Sequence, residues 1–249
     1  MKILDFGNRS KPVIILIHGF QMPWQIWDVY MEHYRDDFHI LVPVMPGHDP
    51  DHREDFVSFS RTAEEFEDFF LSKYGGEVFA VAAMSMGGVL AARLWLNKRL
   101  QIQNMLLDGT PLLPLGHFME SVMLSFYLRV THKAQQRDRK TLEQARQLCP
   151  EKNFADFLAV LDAMTDTTIR NCIRGVADFR LPADISSLKT RICYFHGTKL
   201  NETLARKSAR RLAKQYNHLT IRRFKGKSHC ENMLFHPQVM LKEFDACLL

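Results

Sequence analysis

A chain of 249 residues, 46% hydrophobic and 24% charged, has ample apolar content for a sizeable core and is no candidate for disorder, whether it folds as one large α/β domain or two smaller ones. No run approaches the roughly 20 apolar residues that span a bilayer, and charges in Met1–Lys11 occupy the place where a secretory leader needs an apolar segment, so a cytoplasmic protein without a membrane span is expected. The net charge of +5 is modest, and the five cysteines are scattered, odd in number and without C-x-x-C spacing, which argues for reduced, buried thiols and against a disulfide framework or a zinc site.

Met1–Phe6 reads as a short edge strand, Gly7–Ser10 as a turn and Pro12–Ile17 as a buried strand that ends at His18-Gly19-Phe20. The next turn, continuing into Gln21, lacks the glycine spacing of a dinucleotide or P-loop site. Trp24–Tyr34 has helical spacing, Phe38–Val44 is the next strand, and Met45-Pro46-Gly47-His48-Asp49 is a turn. Phe56–Lys73 places Phe59, Ala63, Phe66 and Phe70 on one helical face, with Glu64, Glu65, Glu67 and Asp68 read as its solvated side.

Val78–Met84 is a strand of small and apolar residues that runs into Ser85, with Ala83 two residues before the serine and Gly87 two after; Val89–Leu96 has helical composition. Strand, sharp turn and helix with a serine at the apex is the layout that exposes a hydroxyl for nucleophilic attack and offers main-chain N–H groups to a developing oxyanion. So tight a turn favours small residues on either side of the serine.

Ile102–Leu107 is the next strand, closed by Asp108-Gly109-Thr110-Pro111. The alternation of strand and helix then stops until about Pro182. Gly116–Thr131, Lys140–Leu148, Phe154–Met164 and Thr167–Phe179 all read as helices, and Phe118, Val122, Phe126, Leu128 and Val130 are expected mainly to pack them together. The sheet resumes with Arg191–Phe195, ending at His196-Gly197, followed by the helix Thr203–Tyr216, the last strand Leu219–Phe224, the loop Gly226-Lys227-Ser228-His229 and a helix from Pro237 through Cys247. The basic residues from Lys199 to Lys227 fall at helical spacing without interleaved aromatics, so they are read as a solvated face and no nucleic-acid partner is expected.

The order of these motifs resembles the α/β-hydrolase family. Ala83-Met84-Ser85-Met86-Gly87 is similar to its nucleophile elbow G-x-S-x-G with alanine at the first glycine, His18-Gly19-Phe20 to its oxyanion loop, and Pro46-Gly47-His48-Asp49 to its Pro-Gly-His-Gly loop. The resemblance implies a doubly wound, mostly parallel sheet from residues 1–111 and 183–249, with residues 112–182 as a helical cap inserted after the strand ending at Asp108. It assigns Ser85 as nucleophile, His229 as general base, the backbone N–H groups of Phe20 and Met86 as oxyanion donors, and a structural role to His18. The family's usual position for the acid, three residues after Gly197, is Leu200 here, which leaves Asp108 and Glu202. Asp108 ends a rigid strand, at a place where haloalkane dehalogenases carry their acid, and is preferred; Glu202 is the alternative. The implied activity is hydrolysis of a carboxylic ester, thioester or lactone of small to medium size, without metal or organic cofactor. Non-hydrolytic lyases share the scaffold, and a ligand-binding member with weak catalysis is the other alternative. Whether two copies pair as a homodimer is left open by the sequence.

Overall fold

The computed structural model describes residues 1–248. The chain begins with β1 (Lys2–Gly7) and β2 (Val13–Ile17), a 3₁₀ turn over Trp24–Trp27 that leads into α1 (Asp28–Tyr34), then β3 (His39–Val44), α2 (Phe59–Tyr74), β4 (Glu77–Met84), α3 (Gly87–Asn97) and β5 (Gln101–Asp108). Four helices follow without an intervening strand: α4 (His117–Gln135), α5 (Arg139–Ala145), α6 (Phe154–Ala163) and α7 (Asp166–Asp178). The chain returns through β6 (Arg191–Gly197), α8 (Thr203–Ala213), β7 (Leu219–Phe224), α9 (Glu231–Phe235) and α10 (Pro237–Leu248).

The seven strands form one sheet of order β1-β3-β2-β4-β5-β6-β7. Only β1 runs antiparallel to its neighbour, pairing Lys2 with Val44 through Gly7 with His39. All other pairs are parallel. Period-two alternation divides the sheet between two cores. Ile15, Ile17, Leu41, Val81, Ala83, Met105 and Leu107 face one side with Phe66, Phe70 and α3. Ile14, Leu16, Ile40, Val42, Ala80, Ala82 and Leu106 face the other with Trp27, Tyr30 and Phe244. Each fully buried large side chain contributes about 1.5–3 kcal/mol relative to exposure, which is why β2, buried at every position, carries no polar residue. The sheet and its flanking helices agree with the fold class expected from the sequence.

The basic residues of α8 lie as expected: Ala205, Ser208, Ala209 and Leu212 are buried, while Lys207, Arg210 and Arg211 face water. Three other expectations are corrected. Glu67 does not share the solvated face of α2; it is fully buried and accepts hydrogen bonds from Asn97 and Arg99. Phe118, Val122 and Phe126 do not pack between helices. Phe118 is 80% exposed, and Met119 joins these three on the outer face of α4. Cys193 on β6 and Cys247 on α10 form a disulfide, whereas Cys149, Cys172 and Cys230 are free and buried. Their wide separation in sequence concealed a pairing that only the docking of α10 beside β6 creates.

Candidate active site

β4 ends at Met84, and Ser85 takes a left-handed backbone conformation with φ of +50° before α3 begins at Gly87. A non-glycine residue there is strained by about 1–3 kcal/mol and persists only when its surroundings hold it. The Ser85 N–H donates to the Asp108 carbonyl at 2.7 Å, and the Ser85 carbonyl accepts from the Gly88 N–H at 3.0 Å. Gly87 and Gly88 allow the turn to lie against His18 and Thr110; a side chain at either would collide with them. Ala83, at the position where the motif commonly has glycine, is fully buried in β4.

His229 reaches the same point from the loop after β7. Its Nε2 accepts from the Ser85 hydroxyl at 2.8 Å, and its Nδ1–H donates to Glu202 Oε1 at 2.5 Å. The carboxylate accepts only, which fixes the imidazole tautomer. The second Glu202 oxygen accepts the Gly197 N–H at 2.7 Å, and the side chain is fully buried. Gly109, at φ of +64°, supports the other side of the ring: a Cβ there would stand 2.6 Å from His229 Cε1. Cys230 follows the histidine with φ of +51°, turning the chain into α9.

Of the two carboxylates weighed from the sequence, the structure places Glu202, and not Asp108, in hydrogen-bond contact with the His229 ring. Asp108 was preferred because it ends a rigid strand, but its hydrogen bonds with the site run through its carbonyl, which accepts from Ser85 and from the Cys230 thiol. Burial, with the nearby Glu202 charge second, pushes the Asp108 carboxyl up to about 7. Glu202 reaches His229 because Leu200–Glu202 is a 3₁₀ turn. The turn exposes Leu200 at 87% and folds Glu202 back beneath Gly197. The extra methylene of glutamate and this tight turn compensate for its position two residues beyond the usual one. A carboxylate just inside a helix start was the available signal, and its second reading, as a partner for the helix dipole, hid it.

The loop after β2 faces the serine. A Cβ built on Gly19 would lie 3.6 Å from Ser85 Cβ. Among the described residues the amides of Phe20 and Met86 donate to no protein acceptor outside regular structure, and both belong to loops adjoining Ser85. His18 and His48 brace this loop from below. His18 Nε2 accepts the Met45 N–H at 3.1 Å, and its Nδ1–H donates to the Gly19 carbonyl at 2.9 Å. His48 Nε2 accepts the Gln21 N–H at 3.1 Å, and its Nδ1–H donates to the Pro46 carbonyl at 3.2 Å. Burial lowers His18 to about 4; burial, with the His18 charge second, lowers His48 to about 3. Both are therefore neutral near pH 7. Neither His48 nor Gln21 was singled out from the sequence as a site residue: the Pro46-Gly47-His48-Asp49 loop marked the turn but not the reach of His48 to Gln21, and a glutamine after an aromatic carries no local signal.

Among the described residues no group of three His, Cys, Asp or Glu side chains converges as a metal site, and no helix is long and apolar enough to cross a membrane. No curated protein matches the chain in sequence. Solved structures do match in fold. An alpha/beta hydrolase family protein from Desulfitobacterium hafniense is 19% identical with a TM-score of 0.81, covering 100% of both chains. An esterase from Exiguobacterium antarcticum is 12% identical with a TM-score of 0.76, over 99% of this chain and 94% of its own. A thermophilic esterase from Thermogutta terrifontis is 15% identical with a TM-score of 0.75, over 99% of this chain and 93% of its own. The sequence profile described as the alpha/beta hydrolase family matches residues 14–243, nearly the whole chain. The protein is thus a member of the alpha/beta hydrolase family.

Proposed function

We propose that the protein is a serine hydrolase that cleaves a carboxylic ester, thioester or lactone of small to medium size through an acyl-enzyme. The reading is carried by one observation, the continuous hydrogen-bonded chain from Ser85 Oγ through His229 to Glu202. In this mechanism His229 Nε2 takes the proton as Ser85 Oγ attacks the acyl carbon, and Glu202 holds the ring and stabilises the imidazolium. The N–H groups of Phe20 and Met86 receive the negative charge on the former carbonyl oxygen. Collapse of the tetrahedral intermediate expels the alcohol or thiol, which takes its proton from His229. Water then attacks the acyl-enzyme, losing a proton to His229, and the acid leaves as Ser85 recovers its own.

The hydrogen bond between His229 and Glu202 supports this reading over the alternative of a ligand-binding member with weak catalysis, which rested on the leucine at position 200. The helices α4–α7 lie between β5 and β6 as an insertion in the sheet, and in this reading they are the cap that supplies the apolar wall for the substrate. The esterase neighbours are consistent with the same chemistry. The test is stoichiometric acid release from a panel of short p-nitrophenyl esters, thioesters and lactones. Ser85→Ala is expected to abolish it; a variant that retains wild-type turnover ends the proposal.

A further inference from the structure

Gln21 lies outside the hydrogen-bonded chain of Ser85, His229 and Glu202, yet it is held more tightly than a loop residue needs to be. It follows Phe20 directly and adopts φ of +61°, a left-handed conformation with no glycine to relieve it. Its backbone N–H donates to His48 Nε2 at 3.1 Å. Its side chain turns toward α4, where Nε2 donates to Thr131 Oγ1 at 2.7 Å and approaches the Met164 sulfur at 3.6 Å. Thr131 is 1% exposed, and its hydroxyl hydrogen is already committed to the Tyr127 carbonyl at 2.7 Å, so the oxygen is left to accept. One turn earlier on the same helix, the Tyr127 ring meets the Phe20 ring edge to face, with centroids 5.0 Å apart. Two consecutive residues of the loop are therefore tied to one face of α4, one by an aromatic contact and the next by a buried hydrogen bond.

We infer that Gln21 is a positioning residue whose bond to Thr131 fixes the Phe20 N–H toward Ser85, so that the placement of α4 sets the geometry of the oxyanion donors. The catalytic part of this inference rests on the serine hydrolase reading; the mechanical part does not. A non-glycine residue released from a left-handed conformation relaxes toward negative φ. The Phe20–Gln21 peptide unit absorbs that rotation and passes it through the Phe20 Cα to the Gly19–Phe20 unit, which bears the Phe20 N–H. With the side chain bonded to Thr131 and the amide bonded to His48, Gln21 cannot relax without breaking a buried bond. A substrate that displaces α4 would thereby be sensed at the donor that serves the transition state, which links recognition under the helices to the rate of acyl transfer.

Thr131→Val keeps the shape of the side chain and removes the hydroxyl; Thr131→Ser keeps the hydroxyl. Loss of the Gln21–Thr131 hydrogen bond, which Thr131→Val removes together with the bond to the Tyr127 carbonyl, is expected to lower kcat for p-nitrophenyl butyrate about tenfold with KM within about twofold. Inhibition by phenylboronic acid, whose serine adduct is a tetrahedral anion, should weaken by a similar factor. Amide hydrogen exchange at residues 19–22, measured without substrate, should quicken about tenfold, and Thr131→Ser should restore all three. Gln21→Leu removes the same bond from the other side and takes the place of Thr131→Val should that variant not fold. Unchanged exchange in this loop, or a serine variant that behaves like the valine one, overturns the inference. Wild-type protein that hydrolyses none of the esters would end the functional reading alone, with exchange still deciding whether Thr131 holds the loop.

Discussion

Glu202 accepts the Nδ1–H of His229 with one carboxylate oxygen and the backbone N–H of Gly197 with the other, so the residue that orients the ring is itself anchored to the end of β6. If the carboxylate acts as proposed, Glu202→Gln should lower kcat by roughly 10³–10⁴, the scale seen when a triad acid is neutralised in serine proteases. Asp108→Asn, which leaves that chain of bonds intact, should lower kcat by less than about tenfold. Steady-state rates of the two variants on one ester decide between the carboxylates, and the reverse ranking would restore Asp108.

Asp108 also predicts a stability profile. Its carboxyl titrates near 7 in the folded protein, against an ordinary value near 3.8 when the chain is unfolded. The folded state therefore holds the proton over the interval between those values while the unfolded state has lost it, and stability falls as pH rises through that window. Between pH 5 and 8 the loss is about 2–3 kcal/mol from this group. Thermal melts should show Asp108→Asn gaining on wild type as pH increases across this range, and a constant difference would contradict the buried acid.

His18 and His48 act in the opposite direction. Each is lowered by burial, to about 4 and about 3, so the unfolded chain takes up protons first as pH falls below its ordinary histidine value near 6.5. Each would remove about 3 kcal/mol of stability by pH 4. Protonated His48 also loses the lone pair that accepts the Gln21 N–H. An opened loop, in which His48 regains its ordinary value, is therefore favoured on the acid side before the sheet melts, visible as lower protection of the amides at residues 19–22, relative to their intrinsic exchange rates, at pH 5 than at pH 7.

The Cys193–Cys247 disulfide closes a loop of 54 residues. On the chain-entropy account such a loop contributes about 4 kcal/mol. Cys247→Ser, or reduction of the wild type, should lower the melting temperature accordingly. Thiol titration of the denatured protein should find three free groups before reduction and five after.

The strands and the serine turn were legible because each strand is a short apolar run ended by a distinctive turn: β2 by His18-Gly19, β4 by Ser85 and β5 by Asp108-Gly109. The sequence misjudged what depends on how a side chain is carried after its strand ends. Leu200 held the expected position and Glu202 did not, because a single 3₁₀ turn rotates one outward and the other inward. Likewise nothing local marks Gln21 for α4, since its partner Thr131 lies 110 residues away. Glu67 reads as one more acid in an acidic run until Arg99 and Asn97 arrive from beyond β4.

The bond between Ser85 and His229 spans 144 residues. A chain still emerging from the ribosome can complete β4 and the turn at Ser85 long before it contains the histidine, so the serine waits through the synthesis of α4–α7 without this hydrogen-bond partner. The entropic cost of closing a loop grows only slowly with its length, but contacts of such wide sequence separation form late. If Ser85 and His229 act as proposed, reactivity is a late event of folding, and a fluorophosphonate label on Ser85 would report arrival at the native state more stringently than helix content does.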